Sequence, residues 1–578
     1  MVNLSLASES SVPICDSNTT STFITRVDED AVGQTSALSN LDIQANCPVY
    51  RLPTEILEDI LIQCVFDHHT VAEGHPISFI PPWVRVSYIN RHWRHVALNC
   101  PTLWSYFFIA SPRWTDELLS RSKQAPLKIH VNLRDRKKKD RTLCFLKKVT
   151  EHLERIQELS LHLSLYDLQV VPPMLSSRAP CLRNLKISVQ FLFPVSHQKF
   201  ALFNGDTPAL QTLELVNFPA PWYSLKLSGL TILSLSHTTV QLYQETAEFL
   251  STLSCMQDLT HLYLEDILAS ASGFLYSVAF HNVAKINLSR LSHLFVSAPL
   301  STVIALLSCV NIPSEAEVRL RCGAEHNFSS FDDYAPLCSL LAQRLGGISE
   351  NHEPAGQSIR SLIVGIVKRG EVKLVFHSSE RASFNPEIDL EWGGNIPLQV
   401  ILAFSRSTTT RNRERIISHL CCPTDLPNVQ SLQLFHFPFS RASWAHVFGF
   451  LQNLRYLKLG CGYMPLSDLA SILFVAPHKS TEKQEGHADQ SRNPMFVPAL
   501  EEVELYDITF SGDWATSTLE HADVQSLCDA LSTRTESRGR LIITRCTVTR
   551  GQKKKFNTTG RWEGGRFHVV DKDNPVTL

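Results

Sequence analysis

The sequence predicts an α/β chain, α+β over its whole length. A small module of three helices is expected near the N-terminus, followed by a long repeat array built on a parallel sheet. Three observations predict this. Residues 47–109 carry a helical apolar period and end on a large aromatic anchor. One spaced apolar frame then recurs through residues 110–550. At 578 residues the chain is also longer than the roughly 250–300 at which single cores stop growing, so several domains or an array are expected.

Residues 1–46 are rich in Ser, Thr, Asn and Asp, show no sustained period, and are expected to lack a fixed structure. Residues 1–11 lack the basic start and apolar core of a secretory leader. The most apolar stretches fall short of the about 20 residues that span a bilayer, so no membrane partner is expected. An odd set of 15 cysteines, scattered through leucine-rich text at positions such as Cys181 and Cys309, fits reduced, packed thiols. Together these features predict a cytoplasmic and/or nuclear protein. A net charge of -2 leaves no overall electrostatic footprint for nucleic acid, and no nucleic-acid partner is expected.

The helical module opens at Leu52-Pro53-Thr54-Glu55-Ile56-Leu57. Pro53 suits a first helical position, where its missing N–H has no partner to lose. Leu52, Ile56, Leu57, Ile60, Leu61, Cys64 and Val65 recur at helical spacing and predict one apolar face. Residues 66–82 contain His68-His69, Gly74, Pro76 and Pro81-Pro82 and are expected to form a loop. A second helix should carry Val86, Ile89, Trp93, Val96 and Ala97 on one side. It must stop near Cys100, because Pro101 disfavours helix in the residue before it. Leu103-Trp104 then supplies a packing anchor.

After the module, the frame Leu-x-x-Leu-x-Leu, with Ile or Val allowed, appears at Ile156-Leu159-Leu161, Leu182-Leu185-Ile187 and Leu210-Leu213-Leu215. It returns at Leu230-Leu233-Leu235, Leu259-Leu262-Leu264 and Val283-Ile286-Leu288. Later copies are Val429-Leu432-Leu434, Leu454-Leu457-Leu459 and Leu500-Val503-Leu505. Weaker ones, Ile359-Leu362-Val364 and Val318-Leu320, fall in the wide gap over residues 311–425. Several starts lie roughly twenty to thirty residues apart, the unit length of leucine-rich repeats. The last two apolar residues of a frame are two apart and share one face of a strand. A single unit cannot bury that face, so neighbouring units should stack into a continuous core beside a parallel sheet. Residues 246–253 and 444–451 have helical spacing and should cover the other side.

In this geometry the intervening residues face out along a concave surface. They are Asn184 and Lys186; Thr212 and Glu214; His261, Tyr263 and Glu265; Lys285 and Asn287; Gln433 and Phe435; Tyr456 and Lys458; Glu502, Glu504 and Tyr506. Mixed aromatic and charged groups on such a surface suit protein binding. The candidate substrate-binding residues are Lys186, Glu214, His261, Tyr263, Lys285, Gln433, Tyr456, Lys458, Glu502 and Glu504.

Other segments read as structure. The basic run 134–141 is diluted by Asp135 and Asp140 and is expected to be a solvated loop; Lys553-Lys554-Lys555 in the polar tail, 551–578, reads the same way. Residues 479–493 read as a polar insertion between repeats. His92-x-x-His95 has no further ligands at metal spacing. Cys421-Cys422 is not a redox pair, and Gly460-Cys461-Gly462 lacks the third glycine of a dinucleotide loop. No positive case for catalysis, for a metal or for a cofactor emerges.

Leu-Pro-x-Glu-Ile-Leu followed by Trp93-Arg94-x-x-Ala97 and Pro101-x-Leu103-Trp104 resembles the F-box, most closely its fungal variety with a loop between the two halves. The likeness covers residues 47–109. It implies binding to a Skp-type adaptor and, through it, to a cullin-based ubiquitin ligase. Carried over by motif, the adaptor-binding residues are Leu52, Pro53, Glu55, Ile56, Leu57 and Ile60, with Val86, Trp93, Arg94 and Trp104 completing the module. The repeats would then hold a protein substrate near the charged ubiquitin carrier, and the chain would contribute proximity without catalysing bond formation. Two other readings are a repeat scaffold with no role in ubiquitin transfer, and an enzyme whose site is assembled from distant loops.

Overall fold

In the computed structural model the described residues are 52–71, 88–89, 91–107, 112–134, 139–190, 202–218, 227–237, 243–267, 285–325, 328–345, 359–368, 371–380, 396–422, 426, 428–436, 439–460, 466–473, 497, 499–506, 526, 530 and 540–544. The expected N-terminal arm, polar insertion and C-terminal tail lie outside them, as does Val86. The chain divides into two compact units between Trp104 and Ser105.

The first unit contains α1 (Thr54–Val71) and α2 (Arg91–Asn99), which pack on each other, and a 3₁₀ turn at Pro101–Ser105. Pro53 immediately precedes α1, and its carbonyl accepts from Leu57 N at 3.1 Å. The helix runs past Val65 to Val71, six residues into the expected loop. His68, His69 and Thr70 are tolerated in a helix, and the first residues that end one are Gly74 and Pro76. The second helix starts later than expected. Ile89 lies ahead of it, in a bend, and is exposed. Trp93, Val96 and Ala97 form the buried side of α2. Trp104 is buried and donates its Nε1–H to the Ala97 carbonyl at 2.6 Å, which ties the turn back onto the helix.

The second unit is mixed α/β with a large, mostly parallel sheet. Its strands are β1 (Tyr106–Phe107), β2 (Leu127–Asn132), β3 (Ile156–Ser164), β4 (Asn184–Gln190), β5 (Thr212–Val216), β6 (Ile232–Ser236), β7 (His261–Glu265), β8 (Ile286–Asn287), β9 (His293–Pro299), β10 (Val310–Asn311), β11 (Glu317–Gly323), β12 (Ser361–Lys368), β13 (Glu371–His377), β14 (Leu398–Ala403), β15 (Ser431–Phe435), β16 (Tyr456–Gly460), β17 (Glu502–Tyr506) and β18 (Arg540–Thr544). Sixteen of them form one sheet, in the order β1 to β7, β9, β11, β14, β13, β12, β15 to β18. β8 and β10 pair separately.

The helices of this unit are α3 (Pro112–Ser122), α4 (Lys139–Thr150), α5 (Val171–Met174), α6 (Tyr243–Ser254), α7 (Leu300–Cys309), α8 (Ala335–Leu345), α9 (Thr410–Cys421), α10 (Arg441–Phe450) and α11 (Leu466–Leu473). From α7 onward each packs on the next. The reason is legible in α9: Ile416, Ile417, Leu420 and Cys421 are buried on one side, and the Thr409 hydroxyl caps the start by accepting from Asn412 N.

One apolar row runs across the sheet from β1 to β17, one residue per strand. It runs Phe107, Ile129, Leu159, Leu185, Leu213, Leu233, Leu262, Leu294, Val318, Leu398, Phe376, Leu362, Leu432, Leu457, Val503. Every member is buried. This is the inner face; side chains one residue to either side point to the outer face. The middle residue of each frame on this row therefore does what its spacing requires, burying a strand that could not bury itself.

Two features depart from the expected array. The frame Val283-Ile286-Leu288 gives β8, outside the main sheet. The strand that pairs with β7 is β9, eight residues further on, with Leu291-Leu294-Val296 as its frame. The two frames adjoin, and the second has the longer alternating run, Leu294, Val296, Ala298. Between β11 and β15 the sheet continues, but β12, β13 and β14 are laid down in reverse order and β13 runs antiparallel to both neighbours. β13 is buried from Val372 through Phe376 without alternation. A continuous run of that kind marks a strand buried on both faces.

Candidate functional site

Two surfaces carry the residues singled out in the sequence, one in each unit. On α1 the expected single apolar face separates into two rows. Leu57 and Leu61 are 0% exposed, whereas Ile56 is 45% and Ile60 37% exposed. Residues four apart share a side of a helix, so Ile56 and Ile60 form one row beside the buried one, with Leu52 in the bend ahead of the helix. Leu52 is half-buried, and Pro53 and Glu55 are exposed. Trp93 and Trp104 belong to the buried side, while Arg94 is exposed. The row of Leu57, Trp93 and Trp104 thus builds the unit's interior, and the row of Ile56 and Ile60 faces away from it.

The second surface is the outer face of the sheet. One of its rows runs His130, Ser160, Lys186, Glu214, Ser234, Tyr263, Phe295, Arg319, Gln399, Val375, Ile363, Gln433, Lys458, Glu504. Opposite charges fall on adjacent strands and pair. Lys186 Nζ lies 2.9 Å from Glu214, Lys128 Nζ 2.7 Å from Glu158, and Lys458 Nζ 3.1 Å from Glu504. Lys458 also sits over the Tyr506 ring, 4.4 Å from its centroid. Burial opposes the charge on Lys128, but Glu158 and Tyr106 outweigh it and hold the ammonium above its ordinary range. Because these charges compensate one another in pairs, the ends of the face carry polarity with little net field.

Between the two ends the outer face changes character. Ile363, Val375, Ile396 and Phe435 form a buried apolar cluster with Tyr506 packed against it. Gln433 is only 6% exposed, so it and Phe435 are part of a covered region and not of an open surface as the alternation implied. Alternation places a residue on a face but does not tell whether that face is open. The signal was present in the sequence as the apolar runs Leu362-Ile363-Val364 of β12 and Leu374-Val375-Phe376 of β13.

Lys186, Glu214, His261, Tyr263, Tyr456, Lys458, Glu502 and Glu504 all stand half-buried on the outer face. Lys285 does not; it precedes β8 and is exposed there, away from the main sheet, for the reason given above. In its place the face receives His293 and Phe295, which the displaced frame concealed. His293 stacks on His261 with ring centroids 4.4 Å apart and planes 7° apart. Burial, and then the charge His293 can carry, keep His261 below the ordinary imidazole range. Burial raises the Tyr263 phenol, partly offset by Arg319. Next to these rings, Glu317 lies 3.9 Å from both His293 Nε2 and Arg319 Nη2.

Among the described residues no group of three His, Cys, Asp or Glu is arranged to hold a metal ion. His92 is half-buried and His95 is exposed, its ring turned to Asn99. Cys309, Cys421 and Cys422 are buried, but Cys181, expected to be packed, is exposed in the turn before β4. The basic run is not merely solvated. Arg134 Nη2 donates to the Ser188 hydroxyl at 2.7 Å, and Lys139 opens α4 and pairs with the buried Asp167 at 2.8 Å. No helix among the described residues is long and apolar enough to cross a membrane. No protein-family model and no curated protein matches the chain.

Proposed function

We propose that this chain is the substrate-recognition subunit of a Skp–cullin–F-box type ubiquitin ligase, acting in the cytoplasm or nucleus. In this reading the first unit is an F-box that docks a Skp-type adaptor, and the strand–helix units of the second stack as leucine-rich repeats that hold a protein substrate. The observation that carries it is the split on α1. Leu57 and Leu61 serve the interior, which leaves Ile56 and Ile60 as an apolar row on a helix whose sequence resembles the F-box opening. An amphipathic helix presenting such a row fits a hydrophobic groove on a partner. The inner row supports the repeat assignment, because the strands that carry the frame each contribute its middle residue to it. The outer face, with aromatic and compensated charged groups, suits protein recognition. The chain would raise the local concentration of substrate lysines near the ubiquitin carrier.

The test is affinity purification of the full chain from its native cells with mass spectrometry, beside Ile56→Asp/Ile60→Asp and Leu52→Ala/Pro53→Ala variants. Adaptor and cullin should accompany the wild type and fall by at least about tenfold with either variant, as expected for buried interface anchors. Adaptor absent from the wild type, or retained by both variants, rejects the docking role.

A further inference from the structure

β7 and β9 each begin with a histidine preceded by a hydroxyl residue: Thr260-His261 and Ser292-His293. The parallel register sets the two histidines opposite each other, with Ile232 of β6 on one side and Glu317 of β11 on the other. The hydroxyls sit beside both rings. Thr260 Oγ1 donates to the Thr231 carbonyl at 2.9 Å, and Ser292 Oγ donates to the Thr260 carbonyl at 2.9 Å. Each hydroxyl oxygen also lies 2.9 Å from the Nδ1 of the histidine that follows it, which holds both rings in one orientation.

The stack and its surroundings leave little room for two added charges. On β6, Ile232 and Ser234 bring no charge. On β7 the neighbours are Tyr263 and Glu265, and on β9 Phe295. On β11, Glu317 faces His293 Nε2 at 3.9 Å but is shared with Arg319. A proton on His293 meets that carboxylate. A second proton on His261 would stand one ring away from the first, in a stack only 4.4 Å deep. Two like charges at such a separation on a half-buried surface repel strongly.

We propose that the His261–His293 stack is a proton-operated catch on the outer face: neutral rings hold β7 and β9 together across that face, and protonation of both parts the stack and rearranges the surface around Tyr263 and Phe295. The catch is a property of this unit alone. Only its consequence, release of a protein lying across these rings on acidification, rests on the recognition role proposed above.

The experiment uses the full chain carrying ring-labelled histidine, with NMR titration of the His261 and His293 rings and hydrogen exchange read by mass spectrometry. In the wild type His261 should take its second proton below the ordinary value of about 6.5, and in His293→Gln its midpoint should rise by at least roughly half a pH unit. Backbone exchange in 261–265 and 293–299, corrected for intrinsic rate, should accelerate at about pH 5 relative to about pH 7.5, while 456–460 does not, and the acceleration should shrink in both His261→Gln and His293→Gln. A His261 midpoint indifferent to His293→Gln, or exchange that accelerates equally in wild type and variants, overturns the catch. If a variant fails to fold by circular dichroism, the wild type decides: titration of the two rings without mutual effect, or no local acceleration, rejects it. A working catch in a protein that captures no partner would leave the inference standing and remove only the recognition role.

Discussion

Phe435 on β15 and Gly460 on β16 are register partners, and the ring of the first occupies the space a side chain on the second would need. A Cβ built on Gly460 would lie 2.5 Å from one Phe435 ring carbon and 2.6 Å from another. The glycine ends the frame Leu454-Leu457-Leu459 and is required by its neighbour's bulk, since Phe435 belongs to the covered cluster on the outer face. Gly460→Ala should therefore destabilise the second unit by about 1–3 kcal/mol through overpacking. Phe435→Leu should relieve part of that cost in the double variant. Denaturant unfolding, with hydrogen exchange over 431–435 and 456–460, checks both; a Gly460→Ala protein as stable as wild type would mean the ring moves aside freely.

The two rows of α1 should respond differently to truncation. Leu57→Ala removes a fully buried side chain and should cost about 2–5 kcal/mol. Ile56→Ala lies on the exposed row and should change stability by no more than about 0.5 kcal/mol. Exchange protection of residues 54–63 in the full-length variants separates the cases, and equal losses at the two positions would contradict the division into rows.

Two lysines on α4 make ion pairs of unequal weight. Lys139 meets an Asp167 that is wholly buried, whereas Lys148 meets an Asp116 that is largely exposed. Asp167 also accepts from Ser164 N and Oγ at the end of β3. Lys139→Ala strands a buried carboxylate and should cost about 3 kcal/mol or more. Lys148→Ala should cost less than about 1 kcal/mol. Thermal unfolding of both variants, with salt added to screen the exposed pair, measures the difference.

A second stacked pair lies on the helical side: His419 of α9 and His446 of α10 have ring centroids 4.1 Å apart. Burial, then the charge on His419, lowers the proton affinity of His446 in the folded chain. The unfolded chain binds that proton at the ordinary value of about 6.5, so it holds more protons than the folded chain below that pH. Stability from this group is thus fully present at neutral pH and declines as pH falls from about 6.5 through the lower folded value. His446→Gln should flatten the dependence of unfolding on pH across that window; an unchanged slope would show that the stack does not couple to folding.

Much of the fold was legible because repetition averages out local accidents. Leu185, Leu213, Leu233 and Leu262 each sit in a frame with the same offset, and each occupies the same inner row. Where two frames adjoin, as at Ile286 and Leu294, spacing alone could not choose, and the choice was decided by which segment could offer a long alternating strand to β7. The reversed order of β12 to β14 was illegible for another reason: the spacing of apolar residues is the same in either strand direction. Exposure was the least accessible property. Ile56 and Leu57 are chemically alike and adjacent, yet one faces outward and the other inward, because only the partner helix determines which side is covered. The stacked histidines were half visible, since His261 was singled out while His293 was hidden by the misplaced frame.

The strands β12, β13 and β14 turn once at each junction, so the segment leaves the sheet with the same polarity it had on entering. β11 and β15 consequently run in one direction, with Val318 and Leu432 on the same inner row. Strand polarity and the facing of the inner row are therefore the same on both sides of the panel, while Ile363 and Val375 tie it to Phe435 on the β15 flank.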